Sequence, residues 1–221
     1  GLGDAVARAA QSSTEVSGTL RIAAAVDHAA QHMGAAVAEF AALHPALRIT
    51  LHASDRVSDM LAEGIDLAFR MGWLRDSSLR AVRLADFEQY AVAAPGYLRR
   101  AGVPKHPDEL AQHAWVALTL LPTPLTWAFT ARNGHTRSVR MNARLQTDSA
   151  TALRALLLNG AGVSVMDRLS VQADIAEGRL QRLLPDWRLP SGGVFAVFPP
   201  GRHISAAARA FVDFYRDRWP R

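Results

Sequence analysis

The hydrophobic pattern in the first third of the chain alternates between strand-like runs and a helical period. Strand-like runs cover residues 20–26, 47–51 and 66–71. Between the first two runs, apolar residues recur at helical spacing: Met33, Val37, Phe40 and Leu43. A shorter helix is predicted between the second and third runs, with Ser54 and Asp55 as its cap and Gly64 at its end. This β-α-β-α-β order predicts an α/β fold with a parallel sheet.

The stretch from Asp66 to Pro95 departs from this alternation. Two further strand-like runs, 79–84 and 87–94, follow residue 72 with no helical period between them. Such a connection favours a chain that leaves one sheet for another, and hence two lobes with a ligand cleft where the chain crosses. Arg70, Met71 and Trp73 would then stand at the rim of the cleft. The alternative is an ordinary buried strand followed by a surface loop, and these residues alone do not decide between the two.

The strand and helix pattern restarts after Pro95. Short helices are predicted at 96–100 and 108–112, strands at 115–118 and 125–129, and a hairpin turn at 132–135. Thr147 or Asp148 is expected to cap a helix whose buried residues are Leu153, Leu156 and Leu157, and residues 159–160 end it. A buried strand at 162–166, further elements at 171–176, 180–183 and 194–198, and a final helix at 205–219 complete the chain.

Composition excludes several classes of protein. The chain has 221 residues, 49% of them hydrophobic, which suffices for one large domain or two small lobes. No segment reaches the ~18 uninterrupted apolar residues of a membrane helix. The absence of cysteine excludes disulfides, thiol nucleophiles and thiolate metal sites. Residues 1–17 resemble the end of a weak helix followed by a polar linker, and they lack the apolar core of a secretory signal. Because so weak a helix rarely stands alone, we expect that residue 1 is not the natural start.

A net charge of +5 raises the question of nucleic-acid binding. The arginines are scattered singly, with one adjacent pair at Arg99 and Arg100, and no basic run is interleaved with aromatic residues. This distribution favours an ordinary solvated surface over a polyanion-binding surface.

Three patterns that could carry chemistry are incomplete. His28 and His32 are four residues apart on a predicted helix, but a third metal ligand and a general-base glutamate are missing from the motif. Ser164 lies in a predicted strand, without the glycine and the strand-to-helix turn of a nucleophile elbow. Gly160 and Gly162 follow a helix and precede a strand, which indicates a helix C-cap rather than a phosphate-binding turn. We therefore expect no catalytic residue, no metal site and no cofactor.

Strand-to-helix junctions are the stronger candidates for binding. They lie at Val26-Asp27-His28, where Asp27 is expected to cap the following helix, at Ser54-Asp55 and at Thr147-Asp148-Ser149. Helix N-termini present free N–H donors and a partial positive charge, so several of them converging on one cleft would favour a carboxylate or another polar anion. Ordinary helix capping is the more frequent explanation of any single junction, so the functional prediction is that the junctions converge.

Six segments in order resemble one known family. They are SGTLRIAA, AEFAALHPALRITL, SDRVSDMLAEGIDLAFRMGWLRDSSLRAVRL, VAAPGYLRRAGVPKHPDELAQH, NGAGVSVM and FAVFPPGRHISAAARAFVDF. In this order they resemble the effector-binding domain of LysR-type transcriptional regulators, over residues 15 to 219. The most specific stretch is LAEGIDLAFRMGWLRDSSL.

The resemblance implies a two-lobed type 2 periplasmic-binding-protein fold, with two crossover strands and an interlobe cleft. The first lobe would be residues 18–90 with 192–221 and the second 91–191, after a linker at 1–17 that ends a longer helix. The family's winged helix-turn-helix would precede this chain and is absent from it. The implied ligand-binding residues are Val26, Asp27, His28, Ser54, Asp55, Arg70, Met71, Gly72, Trp73, Thr119, Asp148, Ser149, Met166 and Phe198.

The resemblance further implies a cytoplasmic, non-enzymatic, ligand-sensing domain that binds a small-molecule effector and contacts DNA only through the missing domain. We expect no membrane contact and a homodimer, with a tetramer as the alternative for the full-length protein. The predicted dimer contact is the helix of Met33, Val37 and Phe40 against the partner's helix of Leu153 and Leu157. Asp27 stands where the family often has a small hydroxyl residue, which weakens the expectation of an acidic effector. The alternatives are a periplasmic solute-binding protein of a transporter and an enzyme on the same fold.

Overall fold

The computed structural model describes residues 16–57, 59–72, 80–201 and 203–219. The chain divides into two compact units. The first unit consists of residues 1–85 and 193–221, and the second unit of residues 86–192. The chain passes from one unit to the other within two strands, at 85/86 and at 192/193.

The elements follow in chain order. Up to the first crossing they are β1 (Gly18–Ala24), α1 (Val26–His28), a π-helical segment (Ala29–Met33), α2 (Gly34–Leu43), β2 (Leu47–Ala53), β3 (Leu67–Gly72) and β4 (Arg80–Phe87). The second unit continues with β5 (Gln89–Ala93), α3 (Pro95–Ala101), a 3-10 helix (Pro107–Gln112), β6 (Trp115–Leu118), β7 (Thr126–Ala131), β8 (Thr136–Arg140), β9 (Ala143–Thr147), α4 (Ala150–Leu158), β10 (Ser164–Asp167), α5 (Arg168–Ala176), β11 (Gln181–Leu183) and β12 (Trp187–Arg188). The chain returns through β13 (Gly192–Phe198) and ends in α6 (Ala206–Arg218).

The first unit is built on a five-stranded sheet with the order β2-β1-β3-β13-β4. β1 pairs in parallel with β2 and with β3, as the β-α-β-α-β pattern predicts, and β13 runs antiparallel to β3. Residues 26–43 and α6 supply its aromatic core: the ring of Phe40 lies 5.2 Å from that of Phe211, and Phe69 of β3 lies 5.9 Å from the same ring. The oxygen of Ser205 accepts the N–H of Ala208 and so begins α6 with a capped turn.

The predicted helix between β2 and β3 is wrong. The described residues of 54–64 form bends and turns, and Ser54 and Asp55 do not cap a helix. The Asp55 carboxylate accepts the N–H of Val26, 29 residues away, and the Ser54 oxygen accepts the N–H of Arg56 in a local turn. Residues 60–63 instead form a turn that Gly64 ends, at a φ of +66°.

The second unit contains three smaller sheets, with the orders β10-β5-β11, β12-β7-β8 and β6-β9. β4 and β5, which are joined directly in sequence, belong to different sheets, so the prediction that the chain leaves one sheet for another is confirmed. Leu153 and Leu157 of α4 pack into a core with Val116 and Met166. Asp174, with a side chain that is 0% exposed, accepts hydrogen bonds from Arg154 and Arg179 and ties α5 to α4.

The ends of α4 correct one prediction and confirm another. The N-cap is Ser149, whose oxygen accepts the N–H of Ala152, rather than Thr147 or Asp148. At the C-terminus the N–H groups of Gly160 and Ala161 bond to the carbonyls of Leu157 and Leu156, which is the Schellman pattern and confirms the predicted C-cap. Within the part of the chain that the structure describes, no helix is long and apolar enough to cross a membrane.

Candidate functional site

The carboxyl edge of the first unit's sheet brings together the ends of β1, β2 and β3. Ala24 pairs with Ala53, and Ala23 pairs with Ala68. Ala25 and Ser54 each follow the first pair by one residue, and Ala25 and Arg70 each follow the second pair by two. Ala25, Ser54 and Arg70 therefore lie at the same height along the sheet. The edge of a parallel sheet at the carboxyl ends of its strands is the common place for a ligand in α/β folds.

The loop after β1 is fixed to the loop after β2. Ala24 accepts the N–H of Ser54 at 3.0 Å, and Asp55 Oδ1 accepts the N–H of Val26 at 3.1 Å. This carboxylate supplies the acceptor that the first amide of α1 needs, since no side chain caps α1 from its own N-cap residue, Ala25. The predicted junctions at residues 26–28 and 54–55 therefore form one corner.

Asp27 does not cap the helix, contrary to the prediction. It lies inside the first turn and is 7% exposed, with its Oδ1 accepting a hydrogen bond from Gln31 Nε2 at 2.8 Å. A residue already in helical geometry cannot reach the amides that an N-cap side chain bonds.

His28 faces the interior of the first unit and is 3% exposed. Its Nε2 lies 2.9 Å from the Tyr215 hydroxyl and its Nδ1 lies 3.4 Å from Met71 Sδ. A thioether sulfur can only accept, so Nδ1 carries the proton and the Tyr215 hydroxyl donates to Nε2. The imidazole also stacks on the rings of Phe69 and Trp219. His28 and Met71 thus join residues 26–28 to β3 and to α6.

Burial among these groups sets the charge of His28. Desolvation, with a smaller contribution from His32, lowers the pKa of His28 to about 3 from 6.5. The His28 and His32 rings meet edge to face at 5.7 Å. In the described residues no group of three His, Asp or Glu side chains could hold a metal ion.

Arg70 and Met71 point to opposite faces of the sheet, because successive strand residues alternate. Met71 contacts His28 on the face where α6 packs. Arg70 is half-buried on the other face, directly opposite Phe195 of β13. Gly72 ends β3 at a φ of +131°, and Trp73 lies outside the described residues. The alternation of side chains along a strand is enough to predict from the sequence that Arg70 and Met71 lie on opposite faces.

Phe198 is not at the carboxyl edge. It lies one residue beyond the Val197–Ala68 pair, toward the opposite end of β3, and is 4% exposed. The β13 aromatic residue level with Arg70 is Phe195, which the sequence interpretation missed. The register between strands more than a hundred residues apart is not visible in the local pattern.

The candidate residues of the second unit form a smaller cluster. Thr119 donates both its N–H and its hydroxyl to the Thr147 carbonyl, at 2.9 and 3.3 Å. Thr147 Oγ1 in turn accepts the N–H of Ser149. Asp148 is exposed beside them, whereas Met166 is 4% exposed in the core and contributes to packing.

Ser164, the serine considered as a nucleophile, joins β10 to β6 inside the core. It is 3% exposed, and its hydroxyl donates to the Val116 carbonyl at 2.7 Å. A hydroxyl that is buried and already donating to the backbone has no base and no access to substrate.

A cavity of about 530 Å³ in the second unit involves none of the predicted residues. Its lining residues are Asp86, Phe87, Glu88, Tyr90, Arg168 and Ser191. The Tyr90 hydroxyl donates to Glu88 at 2.9 Å, and Arg168 donates to Gln172. Because these polar groups are engaged by protein partners, we assign no ligand to this cavity.

Comparison with known proteins gives consistent relatives. The chain is 43% identical over 205 residues to the HTH-type transcriptional regulator PtxR of Pseudomonas aeruginosa, covering 92% of this chain and 65% of that protein. The regulatory domain of CrgA from Neisseria meningitidis, a LysR-type transcriptional regulator, matches with a TM-score of 0.80 and 28% identity, over 92% of this chain and 99% of that one. Full-length AphB of Vibrio cholerae matches with a TM-score of 0.77 and 25% identity, over 98% of this chain and 74% of that one.

These likenesses confirm the predicted fold class, the type 2 periplasmic-binding-protein-like fold of LysR regulatory domains. The chain spans about 65% of the length of PtxR, the relative with which it shares 43% identity. Residues 13–220 match the family described as the LysR substrate binding domain. Because this match covers nearly the whole sequence, the chain belongs to the LysR substrate-binding domain family.

Proposed function

We propose that this chain is the effector-sensing part of a cytoplasmic LysR-type transcriptional regulator and is not an enzyme. The observation that carries the proposal is the convergence of Val26, Ser54 and Arg70 on one carboxyl edge, in a chain of this family. The rival functions have less support: the relatives named above are transcriptional regulators, and the side chains of Ser164 and His28 are buried and hydrogen-bonded within the protein.

The proposed ligand contacts fall into two sets, one for each unit. Those of the first unit are Val26, Ser54 and Arg70. The other predicted residues there hold the loop after β1 in place through contacts inside the unit: Asp27, His28, Asp55 and Met71. Those of the second unit are Thr119, Asp148 and Ser149. Contacts set the supporting residues apart: Asp27 and His28 are buried, and Asp55 and Met71 contact Val26 and His28 of the same unit.

The test is a thermal-shift screen of small metabolites against the purified chain, followed by two variants. Ser149→Trp places a bulky side chain at the start of α4, and Arg70→Ala removes the guanidinium. Each should abolish the shift caused by the effector while the chain stays folded. Ser205→Trp is the matched control, because it removes an equivalent helix cap, worth about 1 kcal/mol, from α6. If no metabolite binds, or if both variants respond like the wild type, this proposal is wrong.

DNA recognition is proposed to reside outside this chain. Sequence-specific contacts require side chains positioned in a groove, and the arginines here are dispersed. The isolated chain should therefore not shift a promoter fragment in preference to competitor DNA at physiological salt. A clear preference in a mobility-shift assay would overturn this.

A homodimer through α2 is also proposed, with a tetramer as the alternative for the full-length protein. Ala35 and Ala38 lie on its exposed side, and Leu43 is 57% exposed. Leu153 and Leu157 pack into their own core, so α4 would have to meet a partner through another face. Ala38→Arg should shift the sedimentation coefficient from dimer to monomer at micromolar concentration, whereas Ala206→Arg, also on an exposed helix position, should not.

A further inference from the structure

The two faces of the first unit's sheet differ in character. On the face of Phe69 and Met71, apolar side chains meet α6 and residues 26–43. The residues that alternate with them point to the opposite face. The strand register places Ala23, Ala68, Arg70, Phe195 and Val197 there together. Met60 and Ile65 pack on its apolar part.

This opposite face, which we call the arginine face, is strongly basic. In the described strands it carries four arginines: Arg21, Arg48, Arg70 and Arg83. The register of β1 with β2 puts Arg21 and Arg48 on this face, and the contact with Phe195 puts Arg83 there. Asp66, just before β3, is in phase with Arg70 along the strand and so points to the same face. Its carboxylate accepts the backbone N–H of Arg21 at 2.8 Å. On this face of the described strands, arginines therefore outnumber carboxylates.

Arg70 is the guanidinium best placed to hold a ligand. It is half-buried at the carboxyl edge and makes no hydrogen bond or ion pair with any residue in the described parts of the chain. A guanidinium has five donors in a planar fork that matches a carboxylate, so a partly desolvated one without an acceptor favours an anionic partner.

Phe195 adds an apolar wall beside Arg70. The two residues are directly opposite in an antiparallel pair, where Cβ atoms are about 5 Å apart. The Phe195 ring lies over Gly193, where a Cβ would come within 2.7 Å of it, and the Arg83 guanidinium carbon is 5.5 Å from the ring centre. Phe195 remains partly exposed, with the Arg83 guanidinium beside its ring.

The acidic side chains near this edge have internal partners. Asp27, which argued against an acidic effector in the sequence, is 7% exposed and accepts a hydrogen bond from Gln31. Asp55 accepts the N–H of Val26. Both carboxylates are thus held by donors of the protein, and the repulsion expected from Asp27 is reduced.

We propose that the effector is a small carboxylate with a flat apolar body, with its carboxylate bound by Arg70 and its body packed on Phe195. This rests on the proposed function and specifies the chemical class of ligand at the same edge. The binding is charge-assisted and bidentate, as arginine–carboxylate pairs commonly are.

The test compares acids with their uncharged amides as probes. Benzoate and benzamide, and hexanoate and hexanamide, are titrated against the folded chain by ligand-observed NMR at fixed pH and ionic strength. The wild type should bind each acid about tenfold or more tightly than its amide, the size expected for hydrogen bonds to a charged group. Arg70→Gln should remove that preference, and Phe195→Leu should weaken benzoate more than hexanoate.

Arg209→Gln is the control, because it removes the same charge from an exposed position on α6 of the same unit. It should keep the preference of the wild type. The inference is overturned if neither acid binds, if acids and amides bind equally, or if Arg70→Gln behaves like the wild type. These results would leave the proposed function standing if the metabolite screen still finds an effector that Ser149→Trp blocks. An empty screen would refute the function itself.

Discussion

The buried imidazole of His28 makes the stability of the first unit depend on pH. Folding lowers the pKa of His28 to about 3 from 6.5, mainly through burial. Above pH 6.5 the group is neutral in both the folded and the unfolded chain and has no effect. Between pH 6.5 and 3 the unfolded chain binds one proton that the folded chain does not. Stability is therefore fully present above pH 6.5 and falls with decreasing pH.

One excess proton in the unfolded state corresponds to about 1.4 kcal/mol per pH unit. At pH 5, 1.5 units below the unfolded pKa, His28 alone should lower the free energy of unfolding by about 2 kcal/mol relative to pH 8. This figure depends little on the folded pKa, provided that pKa lies below about 4, because the folded chain then binds almost no proton at pH 5.

Urea denaturation followed by circular dichroism, at pH 8, 6.5 and 5, measures the effect. His28→Gln cannot be protonated, so its stability should fall by about 2 kcal/mol less than that of the wild type over this range. Other titrating groups cancel in the difference between the two proteins. His203→Gln, at an exposed position of the same unit, should follow the wild type. Parallel curves for the wild type and His28→Gln would refute the buried, neutral imidazole.

Three further substitutions test the packing of the second unit, each by urea denaturation against the wild type. Asp174→Asn should cost about 3 kcal/mol, because it leaves the guanidinium of Arg154 without its buried carboxylate, and a loss below 1 kcal/mol would contradict that pairing. Gly162→Ala should cost at least about 2 kcal/mol, because a Cβ there would lie 2.2 Å from Ala114 O at a φ of +153°, and an unchanged midpoint would contradict this close approach. Ser149→Ala should cost about 1 kcal/mol, and wild-type stability would contradict the cap.

The fold was predictable where the hydrophobic period is strong and its partners are local. β1, β2 and β3 lie close to their predicted positions because each is a short apolar run ended by turn residues. The helix predicted after β2 failed because a long-range bond competes with capping: Asp55 accepts the N–H of Val26 instead of an amide of its own segment. Local capping preferences are overridden when another helix start lies within reach of the same carboxylate.

The candidate site was predictable in part. The sequence located the loop after β1 and the end of β3, since both follow recognisable strands, but it grouped side chains that the sheet separates. Arg70 and Met71 are neighbours in sequence, yet one lies on the arginine face and the other contacts His28. Phe195 could not be found, because its position opposite Arg70 depends on the register between β3 and β13.

Capping side chains change how this edge can recognise charge. The sequence suggests that free amides at helix starts would attract an anion, but the N–H of Val26 is bonded to Asp55. Amides with partners inside the protein contribute less to a ligand, because a new acceptor would have to displace an existing one. A guanidinium with five donors and no acceptor among the described residues has no such competition. Selectivity for a charged effector should therefore depend on Arg70 more than on the helix dipoles.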